Sequence, residues 1–170
     1  MAEAFITDTS KGAPLWRRFA SMLYDSFLLM ALSMGYGALA TLVLFLIHGD
    51  STGGEYQPMV TSSIGNLLLL TGLVTTLTGF YVFFWHRAGQ TAGMRAWRLQ
   101  VITLSELPEV RQPSLTKSLA RAPLSFLAIA VGGLGYWWRA FDINGDCLHD
   151  KLSQTRVILT APRKKKSAPN

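Results

Sequence analysis

Cysteine is nearly missing from this chain, with Cys147 alone among 170 residues. One thiol cannot close an internal disulfide, and no Cys/His cluster has zinc spacing, so neither a disulfide scaffold nor a metal centre is expected. The reading for Cys147 is a buried structural thiol, and no cofactor is expected. Charge is scarce as well, at 15% of residues, and its scarcity is local. No Lys, Arg, Asp or Glu occurs from Ser26 to Ile47 or from Ile64 to Trp85, and no Lys or Arg occurs between 48 and 63. No nucleophile stands at triad spacing from His149 and Asp150, so no enzyme is expected. The basic surface interleaved with aromatics that marks an RNA reader is also missing, which excludes nucleic acid as the expected partner.

What is there is apolar and arranged in blocks. About 20 apolar residues suffice to cross a bilayer as a helix, and two blocks reach that length, spanning about 19–47 and 64–86. The first is broken only by Asp25 and is too long for the core of a cleaved signal peptide, despite Arg17-Arg18-Phe19 and a small-x-small site at Ala38-Leu39-Ala40. Trp85 and His86 close the second block, where tryptophan is the usual interfacial anchor. The segment 87–121 carries Arg87, Arg95, Arg98, Arg111, Lys117 and Arg121 against Glu106 and Glu109. The positive-inside rule therefore sets that segment and the N-terminus in the cytoplasm, with 48–63 outside.

A third element covers about 114–141. Two readings stand. A full third span would carry the basic stretch from Arg139 outside, against the charge rule. A re-entrant hairpin turning at Gly132, Gly133 and Gly135 keeps it inside. The segments 98–103 and 155–160 alternate and then turn β-branched, so they read as strands that pair on one membrane face, which favours the hairpin. The expected fold is all-α and membrane-embedded: two transmembrane helices, a third, re-entrant helical element, and a small cytoplasmic strand pair. Residues 1–14 read as a flexible cytoplasmic lead-in, 15–160 as the membrane domain, and 161–170 as a disordered basic tail.

Arg18 and Asp25 lie seven residues apart, on one helix face but about 10.5 Å apart along the axis. Each should find a partner elsewhere, and an unpaired carboxylate at Asp25 would be expensive near lipid. Arg87, Arg121 and His149 are the candidate partners. The readings are a salt bridge that orders the bundle or, at Asp25, a proton or cation site. His149-Asp150 reads as a helix cap and ion pair. Asp142, Asn144 and Asp146 open like a calcium loop, but Cys147 and Ser153 replace the required Gly and Glu, so a turn is expected. Gly65, Gly72 and Gly79 recur every seven residues and suggest a packing seam, within the chain or between copies. Gly89-Gln90-Thr91-Ala92-Gly93-Met94-Arg95 lacks a phosphate-loop ending and reads as a tight turn. Arg163, Lys164, Lys165 and Lys166 form a tail suited to anionic lipid head groups.

These motifs together resemble the RDD family of bacterial membrane proteins, named for one arginine and two aspartates. Arg18 and Asp25, within Arg-Arg-Phe-Ala-Ser-Met-Leu-Tyr-Asp, are similar to the first two signature charges. Asp150, in His-Asp-Lys-Leu-Ser-Gln-Thr, is similar to the third. The Gly89–Arg95 stretch resembles the family's Gly-Gln-Thr-x-Gly-Lys-Arg, with Met94 in place of Lys. The resemblance covers about Leu15 to Ile158. It implies an inner-membrane protein whose general molecular function is unsettled, with sodium/proton antiport suggested for some members. Two function classes stay open: a structural or accessory component whose Arg and Asp charges hold the helices together, and an oligomeric transporter of a small cation or proton through Asp25. The first is preferred, since two spans are few for a transporter that does not oligomerise. The expected partners are the lipid bilayer, anionic head groups, and further copies of the chain or another membrane protein.

Overall fold

The computed structural model describes residues 6–8, 11–49, 60–104 and 111–160. The chain packs as two compact units, residues 26–80 in one and the segments before and after them in the other. Helices α1 (Leu15–His48) and α2 (Ser63–Ala88) carry the two expected spans. At 1.5 Å per residue they measure about 51 and 39 Å, and both exceed a hydrocarbon core of about 30 Å. Each is long and apolar enough to cross a membrane.

In the unit of residues 26–80 the apolar side chains face outward. Leu39, Leu46, Ile64 and Leu68 are each more than 60% exposed, an arrangement that lipid tolerates and water does not. Within this unit the Tyr36 hydroxyl donates to the Leu69 carbonyl at 2.8 Å. Gly72 makes room for that ring, since a Cβ there would come to 3.2 Å from Tyr36 Cζ. Within the chain, the expected glycine seam is met at Gly72 alone. Gly65 faces Val60 and Ser62 of the segment leading into α2, and a Cβ at Gly79 would have no neighbour within 4 Å. Of the three, Gly72 alone receives a side chain from the facing helix. A seven-residue repeat drifts by about 20° per heptad around a straight helix, so the stripe does not stay on one contact line.

The second unit holds α3 (Ala92–Ala96), β2 (Leu99–Thr103), α4 (Leu115–Ala130), α5 (Leu134–Trp137), a 3-10 turn to Ala140, α6 (Leu148–Leu152) and β3 (Thr155–Thr160). The expected strand pair is present: β2 and β3 run antiparallel, from Leu99 opposite Leu159 to Thr103 opposite Thr155. β2 begins at Leu99 rather than Arg98, because Arg98 takes a left-handed φ of +57° as it ends α3. Gln154, at +52°, makes the same exit from α6 into β3. A third strand, β1 (Ile6–Asp8), pairs with the other edge of β3. The lead-in expected to be loose therefore contributes a strand, one too short for alternation to reveal. Leu99, Val101, Ile102 and Ile158 are fully buried. Ala13, Val82, Trp85 and Met94 pack in the same apolar cluster as Leu99 and Val101.

The third helical element is bent by 103° between α4 and the segment 134–140. Gly132 and Gly133 make the corner with φ of +66° and +78°, a region that residues with a Cβ occupy at a cost. Phe126, Leu134 and Trp137, around this corner, are 64–75% exposed. The basic tail, with Arg163, Lys164, Lys165 and Lys166, and most of the 48–63 loop lie outside the described residues.

Candidate functional site

Of the buried carboxylates in the unit that contains the sheet, the two signature ones, Asp25 and Asp150, are held differently. Asp150 lies in α6, where its Oδ2 accepts the backbone N–H of Cys147 at 3.2 Å and so helps cap the helix. That same oxygen takes Arg18 Nη1 at 2.6 Å, and Oδ1 takes Arg121 Nη2 at 2.6 Å. Arg18 arrives from α1 and Arg121 from α4, so one carboxylate joins three helices that are distant in sequence. All three side chains are at most 4% exposed.

Each arginine is committed further. Arg18 Nε donates to the Ala13 carbonyl at 3.1 Å, and Nη1 also reaches Cys147 Sγ at 3.2 Å. Arg121 donates to the Thr155 hydroxyl at the start of β3 and stacks over the Trp85 ring at 5.1 Å. A planar guanidinium can serve several acceptors in fixed directions, as a lysine ammonium cannot. The paired arginines hold the Asp150 carboxyl well below the usual carboxylate range, against the burial that would raise it.

His149 completes the cluster. Its Nε2 is 3.5 Å from Asp150 Oδ1 and its ring lies 4.7 Å from that of Tyr136. Burial pushes its pKa down to about 3; Asp150 opposes this and the two arginines reinforce it. The imidazole is therefore neutral near pH 7, and its contact with Asp150 is not an ion pair. Cys147, fully buried and free as expected, has its thiol pushed up to about 11, chiefly by burial.

Cys147, His149 and Asp150 bring a thiol, an imidazole and a carboxylate within 4.8 Å of one another. By donor type the trio could bind a soft metal ion. Its surroundings oppose that use: two guanidiniums already engage both oxygens of Asp150, their charge repels a dication, and a thiol must ionise to become a good ligand. The arrangement is that of an ion-pair cluster.

Asp25 stands apart from this cluster. Its Oδ2 accepts the Thr91 hydroxyl at 2.5 Å and its Oδ1 accepts the Gly93 backbone N–H at 2.9 Å. Thr91 is the N-cap of α3 and also accepts from the Met94 N–H at 3.2 Å. Gly93 is required at close quarters, because a Cβ there would come within 2.9 Å of Asp25 Cγ. Met94, at the position where the family pattern has Lys, is buried in the apolar cluster. The expectation that Asp25 pairs with Arg87, Arg121 or His149 is corrected. Arg87 is exposed, Arg121 and His149 contact Asp150, and among the described residues no ion pair reaches Asp25. A hydroxyl and a backbone amide supply the compensation that a cation was expected to give. Of the three signature charges, Arg18 and Asp150 meet and Asp25 binds the Gly-Gln-Thr loop.

Sequence reasoning passed over Thr91, Gly93, Cys147 and Thr155 as partners of these charges. For Thr91 a signal existed: threonine ahead of Ala-Gly-Met-Arg-Ala is an N-cap pattern. The Asp142–Asp146 segment is a turn, as expected, with Asp142 Oδ2 accepting the Asn144 and Asp146 N–H groups at 3.1 and 2.9 Å. Asp146 itself pairs with Arg156 of β3 at 2.6 Å.

No curated protein and no solved structure matches the chain. A protein-family model does, over residues 12–154, a stretch that takes in the Arg18–Asp150–Arg121 cluster, the Asp25 loop and both long apolar helices: the chain belongs to the RDD family.

Proposed function

We propose that this protein is a structural or accessory component of a bacterial inner membrane rather than an enzyme, and that its signature charges hold its helices together. The observation that carries this reading is the burial of Asp150 between two guanidiniums from two other helices, each 2.6 Å from one of its oxygens. A group that trades protons or ions with solvent needs access, and the Asp150 side chain is fully buried. The N-terminus and the sheet lie in the cytoplasm, and α4–α5 enters and leaves the bilayer from that side. The pairing of β2 with β3 supports this return, since strands on opposite sides of a membrane cannot share a ladder. The chain works with further copies of itself or with another membrane protein.

One observation favours the second reading, an oligomeric transporter of a proton or small cation. Asp25 is 2% exposed and is satisfied by neutral donors alone, so it remains able to accept a cation. Reconstituted vesicles separate the two readings. Purified protein at a set density is exposed to sodium and pH gradients, alongside an Asp25→Asn variant shown to be folded. The structural reading expects flux no greater than that of empty vesicles for both. Flux in the natural protein that Asp25→Asn abolishes would overturn it in favour of transport.

A further inference from the structure

Unabsorbed by either reading is an exposed aromatic and basic cluster where the first apolar helix begins. Trp16 stands in the first turn of α1 and is 56% exposed. Its ring meets Trp97 edge to face at 5.5 Å, and Tyr24, 54% exposed, meets the same Trp97 at 6.0 Å. Trp97 comes from the junction of α3 and β2, so two distant stretches of sequence build one aromatic surface. One arginine contacts it, Arg17, whose guanidinium lies 4.9 Å from the Trp16 ring centroid, and two more, Arg95 and Arg98, flank Trp97 in sequence. Arg95 is exposed, Arg17 and Arg98 are half-buried, and among the described residues none of them has an acidic partner.

The combination defines its occupant. Trp and Tyr favour the boundary between hydrocarbon and head groups. Arginine is weakly hydrated and binds phosphate through a planar fork of donors. A guanidinium beside a ring, with two more arginines flanking Trp97 in sequence at the start of a span, thus matches an anionic head group whose acyl chains run along α1. A protein partner would need acidic side chains at this same depth, where they are expensive, whereas a lipid phosphate already lies there. We propose that Arg17, Arg95 and Arg98, with Trp16, Trp97 and Tyr24, form a binding site for an anionic phospholipid of the leaflet in which α1 begins. The site is independent of whether the protein is structural or a transporter.

The test is native mass spectrometry of the full chain, purified in neutral detergent with an equimolar mixture of phosphatidylglycerol and phosphatidylcholine of matched chains. The natural protein is expected to retain the anionic lipid at least about ten-fold over the zwitterionic one. The triple variant R17Q/R95Q/R98Q should bring the ratio near one, whereas R17K/R95K/R98K, which keeps the charge and loses the fork, should keep part of it, which a merely misfolded cluster would not. All forms are compared with Arg163, Lys164, Lys165 and Lys166 changed to Gln, so that the tail contributes nothing. No preference in this background, or a preference that survives the triple Gln variant or disappears equally in the Lys variant, overturns the proposal.

Discussion

A carboxylate with a guanidinium on each oxygen cannot lose its charge cheaply, because what remains is two buried cations facing a neutral group. Asp150→Asn keeps the shape of the side chain and removes exactly that compensation. Breaking a buried pair by deleting one partner costs about 3–5 kcal/mol, and here two pairs break together. Denaturant unfolding of the variant in detergent should therefore show a loss of at least that order, and a loss under 1 kcal/mol would mean that the cluster does not hold the fold. His149 provides a pH signature of the same cluster. Its pKa lies near 6.5 in an open chain and near 3 in the fold, so the unfolded chain takes up the proton first as pH falls. Stability should decline from about pH 6.5 downward, by up to about 1.4 kcal/mol per pH unit. Asp150, depressed below 3.8, begins to lose its contribution only near that pH, so it does not obscure His149 in the interval from 6.5 to 4. His149→Phe should flatten the slope in that interval, and an unchanged slope would place its origin elsewhere. At this scale the sequence revealed which residues matter and not whom they meet. Arg18, Asp25 and Asp150 stood out as charges beside apolar blocks, and Arg121 was named as a partner, though of the wrong aspartate. The expectation that a buried charge seeks an opposite charge failed at Asp25, because a hydroxyl and an amide at a helix start serve a carboxylate as well.

Elements were legible in proportion to their length and period. The long apolar runs read directly as α1 and α2, and the alternation in 155–160 and most of 98–103 read as paired strands. The five-residue helices α3 and α6 escaped, as did β1, since none is long enough to repeat a face. Yet these short helices carry the site: one presents Thr91 and Gly93 to Asp25, and the other contains Asp150. Each ends on a non-glycine residue in the left-handed region, Arg98 or Gln154, before a strand. The glycine corner was visible because Gly132 and Gly133 interrupt an otherwise apolar run. Each residue with a Cβ placed there would cost about 1–2 kcal/mol, so G132A/G133A should favour a straighter 115–140 segment. A nitroxide pair at Phe126 and Trp138 in the variant should report a longer and broader distance distribution than in the natural corner. An unaltered distribution would show that packing, rather than glycine, sets the bend.

At the scale of the whole molecule, the Asp150 cluster and the sheet bind the start of the chain to its last strand. The backbone N–H of Gly12 donates to the Asn144 carbonyl and that of Ala13 to the Val157 carbonyl, at 2.8 and 2.7 Å, while Arg18 reaches Asp150. These contacts restrict how the chain can thread a bilayer. Between Ala13 and β2 there are two long apolar helices, an even number of crossings, which returns the chain to its starting side. Between β2 and β3 the one apolar element among the described residues that could cross is the bent pair, and on the proposed re-entrant reading it crosses an even number of times, namely not at all. A single crossing by α4–α5 would set Thr103 and Thr155 on opposite faces and cost the ladder, the Arg121–Asp150 pair and the Arg18–Asp150 pair at once. Alkaline phosphatase, active only outside the cytoplasm, should therefore be inactive when fused after Lys166 or Leu104 and active when inserted in the loop near Gly54. A fluorescent protein that matures only in the cytoplasm should give the complementary pattern. Phosphatase activity from the fusion after Lys166 would require α4–α5 to span fully, and with it a membrane state in which the Asp150 cluster is dismantled. The Asp150→Asn variant sharpens the point: if the cluster is what keeps the hairpin on one side, its loss should raise phosphatase activity at Lys166 while leaving the Gly54 insertion unchanged.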